Sequence, residues 1–195
     1  MVIKKFRFIK SEIRVLGIDD GRFVSKTQGT VDIVGVVYRG GYWFEGLMRS
    51  KVSIDGLDAI EKIASMIKNS PFYGEIRIVF LDGLSFGGFN IVDISELFIM
   101  LDLPVISIVR EKPDLEKIKN ALQNLPDFLE RWKSIENAGE LIKVNTRKND
   151  NPIYIQIAGI LLDDAKKIIK KMSTHSNIPE ALRVAHIIAS GLTCQ

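Results

Sequence analysis

Apolar positions along the chain follow two periods. In the first quarter they are continuous or alternating and rich in β-branched residues. Val15-Leu16-Gly17-Ile18 runs into the adjacent carboxylates Asp19 and Asp20 and then Gly21. Thr30 to Tyr38 (TVDIVGVVY) is separated by Gly40-Gly41 from Tyr42 to Met48, which predicts a hairpin and, with the preceding run, three antiparallel strands. A central strand does not bury an unpaired carboxylate cheaply, so Asp19 or Asp20 is expected at a strand end, where solvent, a cation or a donor can satisfy it. A turn following the strand is the plain alternative, because Asp-Gly is ordinary turn chemistry.

From Gly56 the period lengthens. Leu57, Ile60, Ile63, Ala64 and Ile67 fall at helical spacing, predicting a helix that starts at Asp55 and ends near Asn69-Ser70-Pro71. Glu75 to Leu81 (EIRIVFL) predicts a strand ending in Asp82-Gly83, much as the first ended in acid and glycine. Phe86 to Asn90 reads as a flexible loop, Ile91 to Leu101 as a helix and Leu103 to Val109 as a buried strand.

Helices are expected over Asp114 to Leu122 and Pro126 to Ile135, and strands over Glu140 to Asn145 and Ile153 to Ala158. Leu161 to Met172 is amphipathic, and its lysines 166, 167, 170 and 171 read as a solvated face. Pro179 to Gly191 closes the pattern as a helix, with proline near its start and glycine at its end. Such an order predicts an α/β layered domain, a mixed sheet with helices on its faces. If the first and fourth strands are parallel neighbours, Asp19 and Asp82 meet at their carboxyl ends.

Composition narrows this picture only in places. The 195 residues, 46% of them hydrophobic, can bury one core, so a single domain over 1–195 is expected. A net charge of +3 permits a polyanionic partner without requiring one. Cys194 is the single cysteine, which excludes an internal disulfide framework and a cysteine-rich zinc site. With no apolar run long enough to span a bilayer, a soluble, cytoplasmic protein is expected, away from membranes.

Acids brought together raise one another's pKa unless a hard cation neutralises them, and Mg²⁺ or Mn²⁺ fits a site of few oxygen ligands and a phosphate-bearing substrate. Each candidate also has a structural role open to it. Asp55 can cap the helix predicted after it, and Asp82 can be a turn residue before Gly83. His186, with Leu182 and Ala189 on its side of the helix, can be a satisfied histidine at the edge of the core. Asp20 can bind a cation through water or stand in for Asp19.

Several of these segments resemble the endonuclease V group of RNase H-like nucleases. Gly17-Ile18-Asp19 is similar to the strand carrying that family's first acidic ligand, and Leu81-Asp82-Gly83 to the strand carrying its Asp-Gly ligand. Leu103-Pro104-Val105-Ile106 resembles its Leu-Pro-Thr-Ile strand, and Asn151-Pro152-Ile153-Tyr154-Ile155 its Lys-Pro-Val-Tyr-Val strand. The most specific match is Pro179-Glu180-Ala181-Leu182-Arg183-Val184-Ala185-His186, similar to Pro-Glu-Pro-Thr-Arg-Leu-Ala-His. Ile54-Asp55 falls where the family has Arg-Glu. The resemblance implies an RNase H-like fold and a metal site of Asp19, Asp55, Asp82 and His186, holding Mg²⁺ or Mn²⁺. More closely, Ile-Asp-Asp-Gly, Asp-Gly-Leu-Asp-Ala, Leu-Asp-Gly and Gly-Gly-Phe-Asn together resemble a mainly archaeal group related to endonuclease V.

The departures are equally specific. No counterpart of the Pro-Tyr-Ile-Pro wedge stands between Gly40 and Asp55, and Leu84 to Asn90 replaces a basic His-Pro-Arg loop. Inosine recognition therefore does not carry over, and fewer phosphate contacts are expected. Arg110 stands in place of a lysine, keeping the charge and changing its shape. The resemblance implies a divalent-metal-dependent nuclease acting on DNA or RNA. A non-catalytic nucleic-acid-binding protein on the same fold, or an interaction module with a vestigial site, are the alternatives.

Overall fold

The structure, a computed structural model, describes residues 3–24, 27–147 and 150–192; Cys194 lies outside them. The early β-branched runs form three strands, β1 (Arg14–Asp20), β2 (Thr30–Arg39) and β3 (Trp43–Ser53), paired antiparallel in sequence order. Next come α1 (Ala59–Lys68), β4 (Ile78–Asp82), β5 (Ser85–Phe86), β6 (Asn90–Ile91), α2 (Ile94–Leu101) and β7 (Val105–Val109). The remainder comprises α3 (Leu115–Leu122), α4 (Phe128–Asn137), β8 (Ile142–Val144), β9 (Ile153–Ala158), α5 (Leu162–Met172) and α6 (Glu180–Leu192).

Seven strands make one sheet in the order β3-β2-β1-β4-β7-β9-β8, while β5 and β6 form a separate small hairpin. The pairs β1/β4 and β4/β7 are parallel, and β9 runs antiparallel to both β7 and β8. Strand period two sorts the core into two layers. Leu16, Ile18, Val79 and Leu81 face α1 and α2. Val15, Ile78 and Phe80 face α5 and α6. No helix among the described residues is long and apolar enough to cross a membrane.

Gly17, in mid β1, sets the height of α6 above the sheet. A Cβ there would lie 2.3 Å from the carbonyl carbon of Ala181 and 2.4 Å from the backbone nitrogen of Leu182. Only a residue without a side chain lets the helix backbone come so close.

Three local expectations are corrected. The first helix begins at Ala59 instead of Asp55, which adopts a left-handed φ of 51° outside it. That backbone state costs a non-glycine residue about 1–2 kcal/mol and cannot form part of a right-handed helical turn. The second helix begins at Ile94, where Asp93 Oδ1 accepts from the backbone N–H of Ser95 at 2.8 Å. Residues 86–91, expected as loop and first helical turn, belong instead to the β5/β6 hairpin, with Phe86 and Asn90 fully buried.

Candidate metal centre

β1 and β4 are adjacent, parallel and centrally placed, so both end at the same edge of the sheet. Asp19 and Asp82, at those ends, point to the face covered by α6. His186 reaches them from that helix, which Gly17 holds close. Ligand atoms of Asp19, Asp82 and His186 all lie within 4.8 Å of one another, a spread one cation can bridge.

His186 Nδ1 is 2.6 Å from Asp19 Oδ2 and 4.0 Å from Asp82 Oδ2. Two acceptors at the shorter distance would repel, so one proton lies between His186 and Asp19, carried by one or the other. Asp19 is only 5% exposed. Burial first, and then the facing Asp82 charge, push its carboxyl up to about 8, against a partial offset from the Asp20 backbone N–H. A site that holds its own acid so far above the carboxylate range has positive charge to accept. Arg110 supplies some from the rim, with Nη1 3.5 Å from Asp82 Oδ2.

Asp20 faces the opposite side of the sheet from Asp19. Its Oδ2 accepts from the Gly87 backbone N–H at 2.6 Å, and burial pushes its pKa up. Asp55 is not brought into the trio. Its Oδ1 accepts from the Phe89 N–H at 2.8 Å, and its own N–H donates to the Gly87 carbonyl at 2.8 Å. Asp20 and Asp55 thus grip one turn of the β5/β6 hairpin.

Sequence reasoning missed the residues that fix this turn. Asn90 donates from Nδ2 to the Ser53 carbonyl and to Asp58 Oδ1, and accepts from the Ala59 N–H, tying the hairpin to the start of α1. Burial raises the Asp58 pKa but is outweighed by the hydrogen bonds of Ser53 and Asn90, leaving that carboxylate below its usual range. Asp58, three residues beyond Asp55, therefore occupies the structural position at the start of α1 expected of Asp55. Glu180 opens α6 in a comparable way. Burial there is outweighed by Arg183, whose Nη2 donates to Glu180 Oε2 at 2.8 Å.

This arrangement can be set beside known proteins. The family profile described as Endonuclease dU matches residues 11–193. The chain belongs to the Endonuclease dU family. A UPF0215 protein of Methanosarcina acetivorans is 54% identical over 184 residues, covering 94% of this chain and 92% of the relative. A crystal structure of a protein of unknown function from Archaeoglobus fulgidus is similar at TM-score 0.83 and 37% identity, over 93% of this chain and 99% of that one.

Members of the endonuclease V group share the fold at greater distance. The Bacillus subtilis endonuclease V structure has TM-score 0.62 at 13% identity, over 92% of this chain and 80% of that one. Ciona intestinalis endonuclease V, solved with a 24mer DNA containing an inosine followed by a ribo-adenosine, has TM-score 0.56 at 18% identity, over 89% and 83%. The fold of this Endonuclease dU family member is accordingly RNase H-like, as the resemblance implied.

Proposed function

We propose that the protein hydrolyses phosphodiester bonds of nucleic acid with a divalent cation, Mg²⁺ or Mn²⁺, held by Asp19, Asp82 and His186. The observation that carries this reading is the convergence of those three side chains at the ends of two parallel strands, with ligand atoms within 4.8 Å. Two carboxylates and an imidazole on a half-open edge suit a hard cation that keeps several waters. When bound, such a cation would polarise a phosphoryl oxygen and acidify the attacking water.

The chain's own groups have separable parts. Asp19 and Asp82 offer anionic oxygens. His186, half exposed, would offer the cation Nδ1, the nitrogen that faces Asp19 and Asp82, which leaves Nε2–H to donate to the reacting oxygens. Arg110 presents a guanidinium suited to phosphate beside Asp82. Asp55 is kept as a fourth candidate residue of the site, outside the three that hold this cation.

A cavity of about 800 Å³ begins at Gly83, the residue after Asp82, and is walled by Phe89, Ile118 and Trp132. Its flat apolar walls support a reading in which a base lifted from the strand lodges there while its phosphodiester lies at the acids. The name of the family and those of its distant structural neighbours agree with an endonuclease.

The test is cleavage of labelled single- and double-stranded DNA and RNA, with and without uracil or inosine, in Mg²⁺ or Mn²⁺. Asp82→Ala and chelator serve as controls. Metal-dependent cleavage lost in Asp82→Ala is expected; cleavage that survives the substitution sinks the reading. The apolar Leu84, Phe86 and Phe89, in place of a basic loop, favour a second reading, a non-catalytic nucleic-acid-binding protein on the same fold. Retention of nucleic acid in chelator, with no cleavage in any metal, would select it.

A further inference from the structure

Arg131, in α4, is 2% exposed. No carboxylate pairs with it among the described residues. Its guanidinium donates to main-chain carbonyls alone: Nε to Pro126 at 3.1 Å, Nη1 to Gly56 at 2.8 Å and also to Phe89, and Nη2 to Asp55 at 2.8 Å. A buried cation without a counterion is costly, and a planar fork that gives four of its five N–H donors to backbone carbonyls does one thing well, which is to fix that backbone.

Three of these carbonyls, those of Asp55, Gly56 and Phe89, belong to the two segments that meet at the hairpin turn. Asp55 sits at φ 51°, and the turn opposite it passes through Gly87 at φ 55° and Gly88 at φ 93°. A Cβ on Gly88 would fall 2.3 Å from Asp55 Oδ1, so carboxylate and turn fit only as a matched pair. Asp55 N–H to the Gly87 carbonyl and Phe89 N–H to Asp55 Oδ1 join the pair, and Arg131 closes it from beneath through the carbonyls of Asp55, Gly56 and Phe89. On the far side Asp20 holds the Gly87 N–H.

We infer that Arg131 is a positioning residue that fixes the turn at Gly87 to Phe89 and the Asp55 carboxylate bound to it, a turn held on its other side by Asp20, the chain neighbour of the ligand Asp19. This rests on the nuclease reading above only for its effect on cleavage. A lysine keeps the charge but cannot span four carbonyls from one nitrogen, and a methionine keeps neither. The trio stands on β1, β4 and α6 and contains nothing that Arg131 touches, so cation binding and turn geometry are separable.

Arg131→Lys and Arg131→Met are compared with the unsubstituted protein by amide hydrogen exchange, Mn²⁺ titration and single-turnover cleavage at saturating substrate. Expected are exchange at the Gly87 and Phe89 amides at least tenfold faster, unchanged exchange in β1, Mn²⁺ affinity within twofold, and a tenfold or greater loss of cleavage rate, with Arg131→Lys recovering part of it. Unaltered exchange at the turn overturns the inference, as does a loosened turn with undiminished cleavage. If α4 unfolds in both variants, exchange accelerates throughout α4 as well as at the turn, and a purely structural role replaces the one inferred. Should the unsubstituted protein cleave nothing, the nuclease reading falls, and the exchange result alone decides whether Arg131 holds the turn.

Discussion

Asp19 and Asp20 are neighbours in the chain and serve opposite faces of the sheet. Asp19 Oδ2 lies 2.6 Å from His186 Nδ1 on the α6 side, while Asp20 Oδ2 accepts from the Gly87 N–H on the hairpin side. Strand alternation makes one Asp-Asp pair reach both the ligand trio and the turn that borders it. The two carboxylates are therefore expected to fail differently. Asp19→Asn should abolish Mn²⁺ binding and lower cleavage beyond the ~10–100-fold typical of an outer partner. Asp20→Asn should keep Mn²⁺ binding and fall within that range. Calorimetric titration of both variants checks this, and equal loss of Mn²⁺ affinity would refute the division.

The close approach at Gly17 gives a second expectation. Gly17→Ala must lift α6 or bend β1, because the new methyl would overlap the backbone of Ala181 and Leu182. Overpacking of this kind costs about 1–3 kcal/mol. Urea denaturation should show that loss, and Mn²⁺ affinity should drop with it because His186 rides on α6. Full stability with normal affinity would mean that the helix accommodates the methyl.

The Asp19 carboxyl, at about 8 when folded against 3.8 for the ordinary group, sets a pH dependence. Its folded pKa lies above the unfolded one, so the folded state binds more protons across that window. The stabilisation from this proton is complete below pH 4 and is lost as pH rises through 8. Without divalent cations, stability should decline from pH 5 to 8 in chemical denaturation curves, and Asp19→Asn should flatten that decline. Mn²⁺ displaces the same proton, so its affinity should climb with pH and level off above 8. An affinity constant between pH 5 and 8 would contradict this.

The cavity beginning at Gly83 carries a fourth expectation. Removing the Trp132 ring takes away one flat wall and leaves the acidic trio alone. Trp132→Ala should raise KM for a nucleic-acid substrate by roughly tenfold, the value of about one stacking contact, with Mn²⁺ affinity unchanged. Steady-state kinetics with and without a modified base would show it, and an unaltered KM would remove the cavity from the substrate's path.

Parts of this site were legible in the sequence for physical reasons. Acid after an apolar run marks a strand end, and two such runs read as parallel neighbours place Asp19 and Asp82 together, as the β1/β4 register does. His186 was reachable through the resemblance of the segment from Pro179 to His186, since helical spacing alone puts it only at the edge of a buried face. The place of Asp55 was not legible. Asp55 and Asp58 both precede the same apolar period, and what separates them is a left-handed backbone angle and a buried Asn90 from another element. The hairpin hid because strands of two residues leave no period to detect. Arg131 hid more completely, for three of its four partners are carbonyls 75, 42 and 76 residues away, and main-chain oxygen leaves no trace in residue type.

One consequence of the helix resting on Gly17 concerns thermodynamic linkage. Asp19 and Asp82 belong to the middle of the sheet, whereas His186 belongs to a separate helix, and a local opening that lifted such a helix would need less free energy than global unfolding. A cation spanning all three would bind the docked state and not the peeled one, adding RT ln(1 + [M]/Kd) to the hold on α6, about 2.7 kcal/mol at a hundredfold excess over Kd. Ion concentration would then regulate the lifetime of the helix on the sheet as well as the chemistry beneath it, and the exposure of Ala181 and Leu182 to solvent would become a gauge of how full the site is.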